Sequence, residues 1–247
     1  MAILCYHAVD PRWQSPMSVQ PAALSEQLAW FARRRRVLPL AEGLGRLDRR
    51  GRLPRGTGVL TFDDGFSSLY DHLLPLVRRH RLPVTVFLVA NTLSEQGQSV
   101  DWVRRPPDWP LTTLTRDQVL EMQEAGVDFQ SHSWAHLDLP ALGFDACRLD
   151  LQRSRELLED LLGRPVPFLA YPRGRHDADV RRAAEAAGYT HAVALPEGRE
   201  TPGPYAVPRV GVHGGNGLAT VRVKANRMYL PLKTSRLYRD IRQKMGR

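Results

Sequence analysis

Three short stretches of the chain hold the residue types that metal-assisted hydrolysis needs. His132-Ser133-Trp134-Ala135-His136 sets two imidazoles four residues apart, about one helical turn, so both can face a single ion. Asp63-Asp64-Gly65 sets two carboxylates side by side. Side chains alternate along a strand, yet at a strand end followed by glycine both carboxylates can turn into one cleft. One of them with the two imidazoles makes a two-His, one-acid set with open positions for water and substrate, suited to zinc or another divalent first-row ion. The other, close by but unligated, is placed to take a proton from water. Tyr171-Pro172-Arg173-Gly174 is the third stretch. Taken singly each is ambiguous, since Asp-Asp-Gly is common in turns and paired histidines also occur as surface or capping groups.

The elements that must position these residues are legible as a repeated pattern. Apolar runs at 3–6, 59–62, 84–90, 127–130, 167–171, 190–195 and 207–212 are of strand length. Between them lie amphipathic helical segments at 21–36, 67–80, 115–125, 144–162 and 177–187, with Pro75 expected to kink the second or reset its start. Thr115 is placed to cap its helix, and Gly126, Gly163 and Gly188 to end theirs. A β-then-α repeat implies a parallel sheet with helices outside, closed or nearly so, with six or seven units. All three chemical stretches fall where strands end, which is where parallel α/β folds bind ligands. Residues 91–112, rich in Trp and Pro, form a long irregular insertion able to wall a cleft.

In their order, Thr61-Phe62-Asp63-Asp64-Gly65, then His132-Ser133-x-x-His136, then a Tyr-Pro-x-Gly strand end, the motifs resemble those of the NodB-homology polysaccharide deacetylases, carbohydrate esterase family 4. The resemblance covers roughly residues 3–213. It implies a distorted (β/α)7 barrel and metal-dependent hydrolysis of N-acetyl groups on amino sugars of a glycan. It also implies Asp63 as base and Asp64, His132 and His136 as ligands of Zn2+, or of Co2+ or Ni2+. Arg173 would offer a backbone N–H to the oxyanion, with Tyr171 and Pro172 at the substrate; Trp134, inside the histidine motif, is placed either to stack on a sugar ring or to pack against the barrel rim. The family's usual motif Arg, partner of the catalytic Asp, is absent: Ala170 stands there. Arg209 is a candidate replacement. Tyr6-His7 at the start resembles the poly-N-acetylglucosamine deacetylase branch, which implies His7 as general acid, with His213 its rival. A sugar deformylase, another amidohydrolase or a non-catalytic carbohydrate-binding relic are the alternatives on this scaffold.

Composition narrows the rest. With 43% apolar and 25% charged residues over 247 positions, the chain suits one globular domain. Residues 1–221 are expected to form the deacetylase-like domain and 222–247 a basic amphipathic tail. That tail has nine Lys/Arg against Asp240, so eight of the nine net positive charges sit there and the body is nearly neutral. A near-neutral body argues against a nucleic-acid partner. The tail, mixing Met228, Tyr229, Leu230, Leu232, Leu237, Tyr238 and Ile241 with its cations, suits either a packed terminal helix or peripheral contact with an anionic inner-membrane surface. The short, uncharged run at 1–7 does not read as a secretion signal, and a cytoplasmic location is expected. Cys5 and Cys147 read as buried packing groups.

Overall fold

The computed structural model describes residues 2–196 and 201–235. In chain order the elements are β1 (Ile3–Tyr6), β2 (Ala8–Val9), β3 (Ser18–Val19), α1 (Pro21–Arg34), β4 (Arg36–Val37), α2 (Leu40–Arg50) and β5 (Thr57–Phe62). There follow α3 (Ser68–His72), α4 (Leu74–His80), β6 (Val84–Leu88), α5 (Arg116–Glu124), β7 (Val127–Ser131) and α6 (Phe144–Leu162). The chain continues through β8 (Phe168–Ala170), α7 (Ala178–Ala186), β9 (His191–Ala194), β10 (Val207–Pro208), β11 (Val210–Gly211), α8 (Leu218–Lys224) and α9 (Tyr229–Lys233).

β1, β5 and β6 are buried along their whole lengths, as strands covered on both faces must be. The main sheet is parallel, in the order β10-β9-β8-β7-β6-β5-β1-β11, with β4 beside β5. Its two ends are one piece of chain. Val207 pairs with Val193 of β9 and Val210 with Leu4 of β1, so the sheet returns on itself with only Arg209 between the two pairings. Counting 207–211 once, seven strand positions surround the axis, and the fold is the distorted (β/α)7 barrel expected. The single strand expected at 207–212 is divided because Pro208 has no N–H to continue a ladder and the chain changes partners there.

Local departures have local causes. The first helix ends at Arg34 because Arg36 pairs with Thr57 of β5. The 67–80 helix is two helices, and Pro75 sits in the first turn of α4, where a missing N–H costs little. α2 went unpredicted because Gly43 and Gly45 disguise it. Gly43 is required there: a Cβ at that position would stand 2.8 Å from Val59 Cγ2. α5 begins with a reciprocal capping box between Thr115 and Gln118, and α6 ends at left-handed Gly163.

The segment expected to begin a tail at 222 opens inside α8, with Val221 and Ala225 buried. Lys224 is turned inward, its ammonium donating to the Gly211 carbonyl and to Asn216 Oδ1, each at 2.7 Å. The rest of that segment from Arg236, including Leu237, Tyr238 and Ile241, lies outside the described residues. Among the described residues no helix is long and apolar enough to cross a membrane.

Phe62, fully buried, stacks on Tyr6 at 5.0 Å between ring centroids, joining β5 to β1 directly below the site. Phe62→Ala is expected to lower unfolding free energy by about 3–5 kcal/mol, read as a lower urea midpoint with an unchanged m-value.

Candidate active site

β5 delivers Asp63 and Asp64 at its carboxyl end, with the Asp63 N–H donating to the Tyr6 carbonyl at 2.9 Å. Asp64 then enters the left-handed region at φ 70, followed by Gly65 at φ 62. A Cβ on Gly65 would lie 2.6 Å from Leu88 Cδ2, so glycine gives the turn both its dihedral and its space. This turn brings two successive carboxylates to the same cavity. Both are almost wholly buried, Asp63 at 2% exposure and Asp64 at 1%.

Their surroundings divide them. Asp63 receives a two-pronged bond from Arg209: Nη1 to Oδ1 at 2.7 Å and Nη2 to Oδ2 at 2.6 Å. Arg209 is 1% exposed, also donates to Thr61 Oγ1 at 3.0 Å, and lies over the Phe87 ring. Cys5 Sγ lies within donating distance of Asp63 Oδ2, at 3.2 Å. Burial works to raise the Asp63 pKa, but Arg209, helped by His132 and His7, outweighs it and holds the carboxyl well below the usual range. Asp63 is therefore an anion at neutral pH. Cys5 is buried as expected, yet it bonds to the site as well as packing; burial, against the pull of Arg209, raises its pKa and keeps it a thiol.

Asp64 faces the histidines. Its Oδ1 lies 3.5 Å from His132 Nε2 and 3.3 Å from His136 Nε2, while its Oδ2 is buried without a partner. His132 Nδ1 contacts the Ala170 carbonyl at 2.8 Å. A carbonyl only accepts, so Nδ1 carries a proton and Nε2 faces Asp64; burial works to lower the His132 pKa, but Asp63 and Asp64 outweigh it and raise it. A ring nitrogen this close to a buried carboxylate calls for a proton or a metal cation between them. The three ligand atoms lie within 4.8 Å of one another, and the donor set fits a divalent ion. Burial and the neighbouring His132 push His136 down to about 3, leaving it neutral and able to ligate.

The geometry that joins the histidines is not the helical turn their spacing suggested. Residues 132–138 form a loop, with Ser133 at φ 70 and His136 at φ 52. Ser133 Oγ accepts from the His136 N–H at 3.0 Å, and the Ser133 and Trp134 carbonyls accept from Ala90 and Asn91. Asp150 of α6 accepts from the Trp134 N–H at 3.0 Å, bracing the loop from outside. Four of the five non-glycine residues at positive φ among the described residues are Asp64, Ser133, His136 and Arg173. Unfavourable backbone is thus concentrated at the site, where the surrounding structure holds it in place.

The insertion supplies a residue that sequence reasoning left undecided. Trp102 Nε1–H donates to Asp64 Oδ1 at 3.1 Å, and its ring stacks on His136 at 4.9 Å. Its neighbours Val100, Val103 and Leu111 pack with Ala8, Trp13 and Phe66, fixing the insertion as one wall. The only cue to Trp102 in the sequence was its place in the Trp- and Pro-rich insertion at 91–112, away from both metal motifs. His7 is half-buried, its nitrogen within 4.8 Å of both Cys5 Sγ and an Asp63 oxygen. His213 is exposed; burial of part of its ring, then Lys224 and His7, push its pKa down to about 4.

The two expected substrate contacts Tyr171 and Pro172 are both buried. Tyr171 is 0% exposed, with its hydroxyl donating to the Tyr205 carbonyl at 3.0 Å and its ring against His176. Pro172 is buried as well. At this strand end the Ala170 carbonyl serves the site and the next side chain turns away into the outer core. Trp134 is half-buried against the main core, and Arg173 is exposed at the strand-end turn at φ 57.

A family model described as polysaccharide deacetylase matches residues 50–192. The chain belongs to that family. YxkH of Bacillus subtilis is 26% identical over 159 residues, 64% of this chain and 52% of that protein. A Staphylococcus epidermidis protein named poly-beta-1,6-N-acetyl-D-glucosamine N-deacetylase is 26% identical over 208 residues, 78% of this chain and 67% of that one. The chain therefore spans about half to two thirds of these relatives. Among solved structures, the Streptococcus pyogenes deacetylase PplD in complex with acetate superposes with a TM-score of 0.77 at 22% identity, covering 92% of this chain and 98% of that one. IcaB from Ammonifex degensii gives 0.73 at 23%, covering 91% and 96%. These likenesses show that the barrel is shared.

Two outcomes follow from the contacts. Arg209→Met strands a buried carboxylate and is expected to cost about 3–5 kcal/mol of stability, measured by denaturant unfolding at neutral pH. Trp102→Phe keeps the stacking surface but removes the N–H to Asp64. It should weaken metal binding about tenfold, measured by competition with a chromophoric chelator, with little change in unfolding midpoint.

Proposed function

We propose that the chain is a metal-dependent hydrolase that removes N-acetyl groups from amino sugars of a bacterial surface polysaccharide or its lipid-linked precursor. The observation that carries this reading is the separation of two adjacent carboxylates, one bound to Arg209 and the other facing the Nε2 atoms of two imidazoles. Asp64, His132 and His136 would hold the ion, and their N,N,O donors suit zinc, with cobalt or nickel as substitutes. When bound, such an ion polarises the amide carbonyl and makes water a better nucleophile.

The remaining roles fall to the chain's own groups. Asp63, an anion at neutral pH, accepts the proton of the attacking water. Arg209 keeps it oriented and ionised without occupying the metal set. His7, beside Asp63, gives a proton to the departing amine nitrogen. His213 is the weaker candidate because a pKa of about 4 leaves it no proton to give at neutral pH. The Arg173 N–H, at the strand-end turn, is the oxyanion donor in this reading. Membership of the polysaccharide deacetylase family and the name of the S. epidermidis relative support an amino-sugar glycan as substrate.

The test is acetate release from N-acetylglucosamine oligomers by metal-stripped protein reloaded with zinc or cobalt. Release should require the metal, and both Asp63→Asn and His7→Gln should lower kcat by about 10²–10⁴, with His213→Gln near the parent rate. Metal-loaded protein that releases no acetate from any oligomer would sink the amino-sugar reading, and a His7→Gln variant of undiminished kcat would remove His7 from it.

A further inference from the structure

At the opposite end of the barrel from Asp63 and Asp64, a cleft of about 1010 Å³ opens where β1 begins, bordered by residues 50–56 and by the α8–α9 connection. Arg35, Arg50, Arg52, Arg55 and Arg227 line it, drawn from three separate parts of the chain, and among the described residues no Asp or Glu does. The acids of neighbouring α2 are committed elsewhere: Glu42 to Arg36 and Arg46 at 3.3 and 2.7 Å, and Asp48 to His191 at 3.0 Å. Arg35 lies over the Trp30 ring and donates from Nη1 to the Arg34 carbonyl, while its Nε is buried without a partner. The other four guanidiniums form no ion pair among the described residues.

Five like charges around one concavity repel one another, and a concave low-dielectric wall focuses their field inward. The planar fork of arginine matches the oxygens of a phosphoryl group two at a time. A single carboxylate would neutralise one of the five charges, whereas two phosphoryl groups on one ligand bring several negative charges into the same space. The cleft is also larger than two phosphates need, with room for an organic portion. Leu53, Leu230 and Pro231 supply an apolar wall for that portion.

We propose that this basal cleft binds a ligand bearing a diphosphate or closely spaced phosphoryl groups. Its distance from the carboxylates makes it a site of attachment or placement and not of turnover. Such phosphoryl oxygens have two sources, a soluble phosphoester or a lipid headgroup. Val223, Met228 and Leu232, at 61%, 50% and 60% exposure, stand on α8, α9 and their connection, near the Arg227 rim.

The probe is inorganic pyrophosphate, titrated calorimetrically into the full chain at low salt. Arg52→Gln/Arg55→Gln should weaken binding about tenfold or more, equivalent to about 1.4 kcal/mol. Arg33→Gln/Arg34→Gln, which removes the same charge from the exposed end of α1 outside the cleft, should leave binding near that of the parent. Unchanged circular dichroism and acetate release would show both variants intact. Sedimentation with phosphatidylglycerol vesicles but not phosphatidylcholine vesicles, lost in the cleft variant, would assign the phosphoryl source to a lipid. Pyrophosphate binding without such sedimentation would assign it to a soluble phosphoester. A parent protein that does not bind pyrophosphate, or equal weakening by the two double variants, would overturn the proposal.

Discussion

The bond between Arg209 and Asp63 is the constraint around which the rest is arranged. An ionised carboxylate at 2% exposure is untenable without a partner of comparable quality. The guanidinium supplies one by a two-pronged contact at 2.6–2.7 Å. Its own charge is then covered by Thr61 and by the Phe87 face. Arg209 reaches that position because it occupies the single residue between β10 and β11, where the last strand leaves β9 for β1. Barrel closure and ionisation of Asp63 are therefore one structural event.

That arrangement also explains how neighbours in sequence acquire different chemistry. Asp63 and Asp64 share a backbone turn and almost the same burial. Arg209 takes the full face of one carboxylate, which leaves only the other to meet His132 and His136. The left-handed conformation of Asp64 is the cost of this separation, of order 1–3 kcal/mol for a non-glycine residue, and Gly65 relieves the next position. The histidine loop is strained in the same way at Ser133 and His136. It is braced from two sides, by Ala90 and Asn91 after β6 and by Asp150 of α6.

Much of the scaffold was legible because it rests on periodicity and punctuation. The strands at 59–62, 84–90 and 127–130 and the helix at 144–162 were readable to within a few residues from apolar runs bounded by Thr115, Gly126 and Gly163. What was not legible is what needs three dimensions. α2 was hidden by Gly43, a residue poor for helices in general but required where α2 rests against Val59. The spacing of His132 and His136 suggested a helix, whereas the loop meets the same requirement through two positive φ angles that no local pattern announces. Tyr171 looked like a ligand contact because of the motif around it, yet its hydroxyl is taken by Tyr205, 34 residues away.

Trp102 shows the same limit from the other side, and Arg209, named from the sequence as a candidate partner of Asp63, is that partner in the structure. Each touches one of the two carboxylates, and each comes from a segment that shares no motif with them. Neither contact is coded by spacing: one depends on how an insertion packs on Trp13 and Phe66, the other on where the barrel closes. Closure explains why an arginine missing from the strand end at Ala170 need not be missing from the site. A buried carboxylate requires a cation within reach, not a cation at a given place in the sequence. In a barrel, neighbouring strands bring residues far apart in the chain to the same end, as β5 and β11 on either side of β1 do for Asp63 and Arg209, 146 residues apart. A motif can thus lose a member at one strand while the chemistry it served is kept by another.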